Sequence, residues 1–73
     1  MRITRNFMRM QHERVSVTVD EYAQHISITL SNGMQQGDYE LPFNSIEEME
    51  VKEHEIMTAL AMRRFTLVHT EET

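Results

Sequence analysis

Residues 15–30 read VSVTVDEYAQHISITL, and they decide the fold. Val15, Val17 and Val19 alternate with Ser16 and Thr18. Ile26, Ile28 and Leu30 alternate with Ser27 and Thr29. Period-two alternation of β-branched residues marks a strand with one wet and one buried face. The polar DEYAQ between the two runs predicts that they pair as a hairpin.

Reading outward from this hairpin, Asn32-Gly33 follows at once and predicts a two-residue type I′ turn, which needs positive φ at both central positions. The chain then reverses into MQQGDYEL, where Tyr39, Leu41 and Phe43 alternate and Gly37 is a candidate bulge. On the other side, RITRNFMRM puts Ile3, Arg5, Phe7 and Arg9 on one face of a further strand. The period changes after Asn44. Ser45 and Glu48 have the spacing of a capping box, and Glu47 and Glu48 suit the positive end of a helix dipole. A helix is expected over 46–62, with Arg63 and Arg64 near its negative end. RFTLVHT then alternates again, with Phe65, Leu67 and His69 on one side of a last strand. The expected fold is α+β: a small antiparallel sheet of three to five strands, order β-β-β(-β)-α-β, with one amphipathic helix on one face. It is expected to be a single domain over 1–73.

With 73 residues and no cysteine, the core is thin and no disulfide can staple it. No apolar run approaches a bilayer span, and the charged N-terminus lacks a secretory h-region. The expectation is a cytoplasmic protein without a membrane partner. The net charge of −5 is unevenly spread. Over residues 1–19 four arginines oppose only Glu13, giving +3. Over residues 20–60 nine acids oppose only Lys52, giving −8. An acidic total opposes bulk attraction to phosphate, so nucleic acid is the less favoured partner.

On a helical projection Ile46, Met49, Ile56, Met57 and Leu60 fall within about 100° and form the face toward the sheet, with Ala61 at its edge. Glu53 lies inside that sector. An unpaired carboxylate there costs several kcal/mol, so it is expected to pair with Arg5, Arg9 or Arg64, the alternatives being a side chain that swings into solvent and an acid set in a cleft. Glu47, Glu48 and Glu55 fall on the far side. They rim an apolar strip of Val51 and Met62, with Thr58 between. Together Glu47, Glu48, Val51, Glu55, Thr58 and Met62 are the candidate partner-binding residues, a helical face read at spacings of seven and four.

Other chemistry has less support. Glu50 and His54 stand four apart on one helical face, as two metal ligands would, but zinc needs three or four. There is no HExxH, paired CxxC, Gly-rich phosphate loop or GxSxG. A chain this small is also expected to lack walls for a pocket of several hundred Å³. Neither enzymatic activity nor a metal or cofactor is expected. Arg2, Arg5, Arg9 and Arg14, interleaved with Phe7, are the alternative nucleic-acid-binding set, a phosphate-tracking strand with a stacking ring. Of the seven methionines, most are expected as core filler, while Met8, Met10, Met34 or Met62 could line an interface or a homodimer.

The leading functional expectation is a small non-enzymatic interaction module or inhibitor. It would engage another protein with a basic, for instance nucleic-acid-binding, surface, as a phage or mobile-element anti-defence protein would. The alternatives are a small nucleic-acid-binding domain on the arginine strand, and a structural subunit that self-assembles through an edge strand at 2–10 or 64–70.

Overall fold

The computed structural model describes residues 1–73. The chain runs β1 (Arg2–Arg9), β2 (Glu13–Asp20), β3 (His25–Ser31), β4 (Gln36–Pro42), α1 (Ile46–Met62) and β5 (Thr66–Glu72). The five strands form one antiparallel sheet in the order β4-β3-β2-β1-β5. This is the expected α+β architecture with five strands. β1 is interior, flanked by β2 and β5. Residues 2–10 are therefore not an edge, and the sheet ends at β4 and β5.

The register assigns the faces. Ile3, Arg5 and Phe7 align with Val19, Val17 and Val15, and these with Ile26, Ile28 and Leu30. Ile26 and Ile28 continue to Leu41 and Tyr39. This is the face under the helix. The buried core is Phe7, Val15, Val17, Val19, Ile26, Phe43, Met49 and Leu60, with Ile28, Leu41, Ile56, Met57 and Phe65 packed around it. The opposite face is small and polar. Its side chains bond across strands: Thr4 to Thr18 at 2.8 Å, Ser16 to Asn6 at 2.6 Å and Thr29 to Asp38 at 3.0 Å. Such cross-strand pairs let one face stay in water while the other builds the core.

Three local expectations need correction. The β3–β4 connection is not a type I′ turn, because only Gly33 has positive φ. It is a four-residue loop in which the Asn32 carboxamide oxygen accepts from Met34 and Gln35 backbone N–H groups. Gly37 is not a bulge, since it pairs in register with Leu30, and the Tyr39 ring lies across it. The irregularity falls in β5 instead. Asn6 aligns with His69 and Phe7 with Leu67, so Val68 is the extra residue. A bulge moves the next side chain to the other face, so Leu67 and His69 do not share one.

The helix begins as its sequence dictates. Ser45 accepts from the Glu48 N–H at 3.1 Å, while the Glu48 carboxylate reaches back to the Asn44 N–H at 3.2 Å, one residue beyond a strict capping box. At the other end Arg64 N–H bonds the Ala61 carbonyl and Phe65 N–H the Leu60 carbonyl. This is a Schellman motif with Arg64 at φ 66° where glycine is preferred. The expected face packs on the sheet, with Met49 and Leu60 buried and Ile56 and Met57 partly buried against the core, except that Ile46 at its start is half exposed; Ala61 at its edge is exposed. Met1, Met10, Met34 and Met62 are also exposed, so core filling is not the main use of methionine here.

Two corner ties aim the helix. Lys52 Nζ donates to the Pro42 carbonyl at 2.6 Å, at the end of β4. Arg9 Nη1 donates to the Arg63 carbonyl at 2.9 Å, at the end of β1. Pro42 and Arg9 stand at diagonally opposite corners of the β4–β1 portion of the sheet. The helix therefore crosses the strands obliquely, from the β4 edge toward β5.

Arg64→Gly removes the steric cost of a left-handed arginine while keeping both closing hydrogen bonds. It is expected to stabilise the fold by about 0.5–1 kcal/mol, seen as a raised urea midpoint at unchanged slope. A lowered midpoint would show that the arginine side chain contributes more than its backbone strain costs.

Candidate functional site

Three surfaces carry the candidate residues, and the ion pairs of the chain decide which charges are free. Glu53, the acid within the apolar sector, lies over β1 and pairs with Arg5, Nη1 to Oε1 at 3.5 Å, both side chains about one quarter exposed (26% and 27%). Arg5 is thus the partner among the three arginines anticipated, and Glu53 is not a lone acid in a cleft. Arg9 is committed to Glu13 through two hydrogen bonds, Nε to Oε1 at 3.2 Å and Nη2 to Oε2 at 2.6 Å. Its guanidinium also lies 4.5 Å from the centre of the Phe65 ring. Arg63 turns back on its own helix and donates to the Ala59 carbonyl.

These commitments disperse the arginine set. Phe7 is buried at 7% exposure and cannot stack on a base. Arg5 and Arg9 lie on the helix side, held by acids. Arg2 and Arg14 lie on the open face, Arg2 aligned with Asp20 and Arg14 six residues along β2 from it. At strand rise that is about 20 Å. Arg2, Arg5, Phe7, Arg9 and Arg14 therefore do not form one surface.

The outer helix face is assembled as its spacing requires. Val51 is 56% exposed and Met62 78%, with Thr58 exposed between them. Glu47 and Glu55 flank them, and no ion pair within the chain engages either. Glu48 differs. It sits 3.0 Å from Lys52 Nζ and accepts from Asn44, so it belongs to the start of the helix more than to the strip. Glu50 and His54 gain no further ligand, and nowhere do three or more His, Asp or Glu side chains converge as a metal site. No helix is long and apolar enough to cross a membrane.

The third surface was not legible in the sequence. Because the helix crosses obliquely, it leaves the β3–β4 corner uncovered, and an open groove of about 630 Å³ lies there. Ile28, Leu30 and Tyr39 line it from the sheet, Ile56 and Ala59 from the helix, and the Arg9–Glu13 pair closes one end. The expectation that so small a chain lacks such a hollow is corrected by the helix angle. The exposure of Leu30 and Tyr39, at 37% and 56%, is its signature.

Three carboxylates are held below their ordinary range. Hydrogen bonds from Arg9 lower Glu13. The backbone N–H of Ala23, then that of Tyr22, lower Asp20. A hydrogen bond from Lys52, then one from Asn44 N–H, lower Glu48. In each case partial burial opposes the shift and is outweighed.

No family model, curated protein or solved structure matches the chain.

Two outcomes follow. A group whose folded pKa is depressed contributes stability that is complete above its unfolded pKa and lost as pH falls through the folded one. Stability should thus be flat at neutral pH and decline below about pH 4, with Glu48→Gln flattening part of the decline. A midpoint that instead falls between about pH 7 and pH 5 would contradict this assignment to the three carboxylates. For the Arg5–Glu53 pair, either single methionine replacement should cost about 1–2 kcal/mol, less than a fully buried pair because both groups meet water. Arg5→Met with Glu53→Met together should recover to within about 1 kcal/mol of the parent. Strict additivity in urea melts would show that the two are not coupled.

Proposed function

We propose that this protein is a small non-enzymatic interaction module, an inhibitor by occupancy, that engages a basic surface of another protein through the outer face of α1. The observation that carries this reading is the strip of Val51, Thr58 and Met62, exposed along one side of the helix and flanked by Glu47 and Glu55. Neither acid has a partner within the chain. Interfaces gain affinity from desolvated apolar anchors and gain orientation and on-rate from complementary rim charge. The strip supplies both along about three turns of one helical face. Glu48 contributes field at the rim while it caps the helix.

The partner surface is basic, as the nucleic-acid-binding face of another protein is. An acidic protein that covers such a face competes with phosphate for the same lysines and arginines. Anti-defence proteins of phages and mobile elements are one setting in which such a competitor operates. Dispersal of the arginines, with Phe7 in the core, weighs against direct nucleic-acid binding by this chain. Self-assembly through β5 has weaker support than the helix face, because the Val68 bulge breaks the regularity of that edge.

The test is affinity capture from host lysate at moderate salt, with and without nuclease, using the parent chain and Glu47→Lys/Glu55→Lys/Met62→Ser side by side. Glu48 is left intact so that the helix still starts. One protein captured by the parent in both samples, and lost by at least about tenfold with the variant at unchanged circular dichroism, is the expected result. Equal capture by the variant would remove the helix face from the account. Capture that vanishes with nuclease would favour the nucleic-acid reading.

A further inference from the structure

The β4 edge and the groove beside it have the form of a receptor for an added strand. β4 is the outer strand of the sheet, so alternate residues (Gln36, Asp38 and Glu40) direct their N–H and C=O groups away from β3 into solvent, while Pro42 has no N–H and its carbonyl is taken by Lys52. Its pairing with β3 runs without a register break from Gln36 to Pro42, unlike that of β5, where Val68 bulges. A regular edge can template another strand, whereas a bulged one twists away.

The two faces of β4 differ in chemistry. On the helix side Tyr39 faces the groove, with Ile28, Leu30 and Ile56 behind it, and Leu41 packs against the core. On the open side Asp38 and Glu40 stand two residues apart, both exposed. Asp38 accepts one hydrogen bond, from Thr29, and neither acid has a cation. A strand laid along β4 would direct its own side chains alternately to these two faces. Those above the groove would meet Tyr39 and an apolar hollow, and those on the other face would meet two carboxylates.

We propose that β4 is a β-augmentation site for an extended segment of a partner protein in which apolar and basic residues alternate. The segment adds an outermost strand to the sheet. Main-chain hydrogen bonds supply the pairing, the groove takes its apolar side chains, and Asp38 and Glu40 select its lysines or arginines. This site is separate from the outer helix face and does not depend on it.

The probe is a peptide of alternating valine and lysine matched in length to β4, titrated into the isotope-labelled full chain. Its controls have the same composition with valines and lysines in separate blocks, and the alternating sequence with alternate backbone nitrogens methylated. The expected result is amide shifts and slowed hydrogen exchange centred on Gln36–Leu41, with a Kd below about 1 mM. Both control peptides should bind at least about tenfold more weakly, as should the alternating peptide with the Asp38→Lys/Glu40→Lys chain. Glu47→Lys/Glu55→Lys, on the helix, should leave the affinity unchanged. Equal binding of the blocked peptide would overturn the proposal by reducing it to net charge. So would shifts centred on Thr66–Glu72 or on the helix, or no binding at about 1 mM.

Discussion

The position of α1 depends on two ties at opposite corners of the sheet. Lys52 holds its first half to the Pro42 carbonyl, and Arg9 holds its C-cap by donating to the Arg63 carbonyl. Arg9 is the more connected of the two. It joins the β1–β2 hairpin through Glu13, the helix end through Arg63 and the start of β5 through the Phe65 ring. A guanidinium suits this junction because its planar fork can grip a carboxylate with two donors, spend a third on a carbonyl and still stack on an aromatic face. The oblique course of the helix follows from these ties, and from it follow the core it covers and the corner it leaves open.

A thin core makes that economy necessary. Only eight side chains are buried, and none is polar or charged. The ionic groups sit around the core instead of inside it, and Arg5–Glu53 marks the innermost point they reach. Exposed apolar residues are spread over the chain, among them Met10, Tyr22 and Met34 at the strand connections and Leu67 and Val68 on β5, and four of them fall on the two candidate surfaces. Val51 and Met62 lie along the outer helix, and Leu30 and Tyr39 at the uncovered corner. The acidic charge accompanies both surfaces, through Glu47 and Glu55 on one and Asp38 and Glu40 on the other. One basic partner could therefore be met by the helix face, by the β4 edge, or by both together.

What the sequence revealed and what it withheld divide along physical lines. The alternation of Val15–Val19 and Ile26–Leu30 and the Ser45 cap are local signals, and the two strands and the helix follow them. The Asn32-Gly33 signal misled because the closing pair is Ser31 with Gln36. The Asn32 side chain serves that longer loop as well as glycine would serve a tight turn. Val68 was hidden because a bulge leaves the alternation of RFTLVHT intact on paper while shifting it in space. Glu53 was recognisable as an acid in need of a cation, but only the point at which α1 crosses β1, with Arg9 already held by Glu13, could choose Arg5 over Arg9 and Arg64. The outer strip could be read from helical spacing alone. The groove could not, since it depends on a crossing angle that no window of sequence contains.

The oblique clamp is the central structural claim, and side-chain nuclear Overhauser contacts in the free protein test it most directly. Lys52 should show contacts to Pro42, and Arg9 to the ring of Phe65, in the same sample. Leu30 and Tyr39 should touch the helix only near Ile56 and Ala59. Contacts placing Lys52 and Arg63 over one and the same strand would mean that the helix lies along the sheet. The open corner and the groove would then not exist.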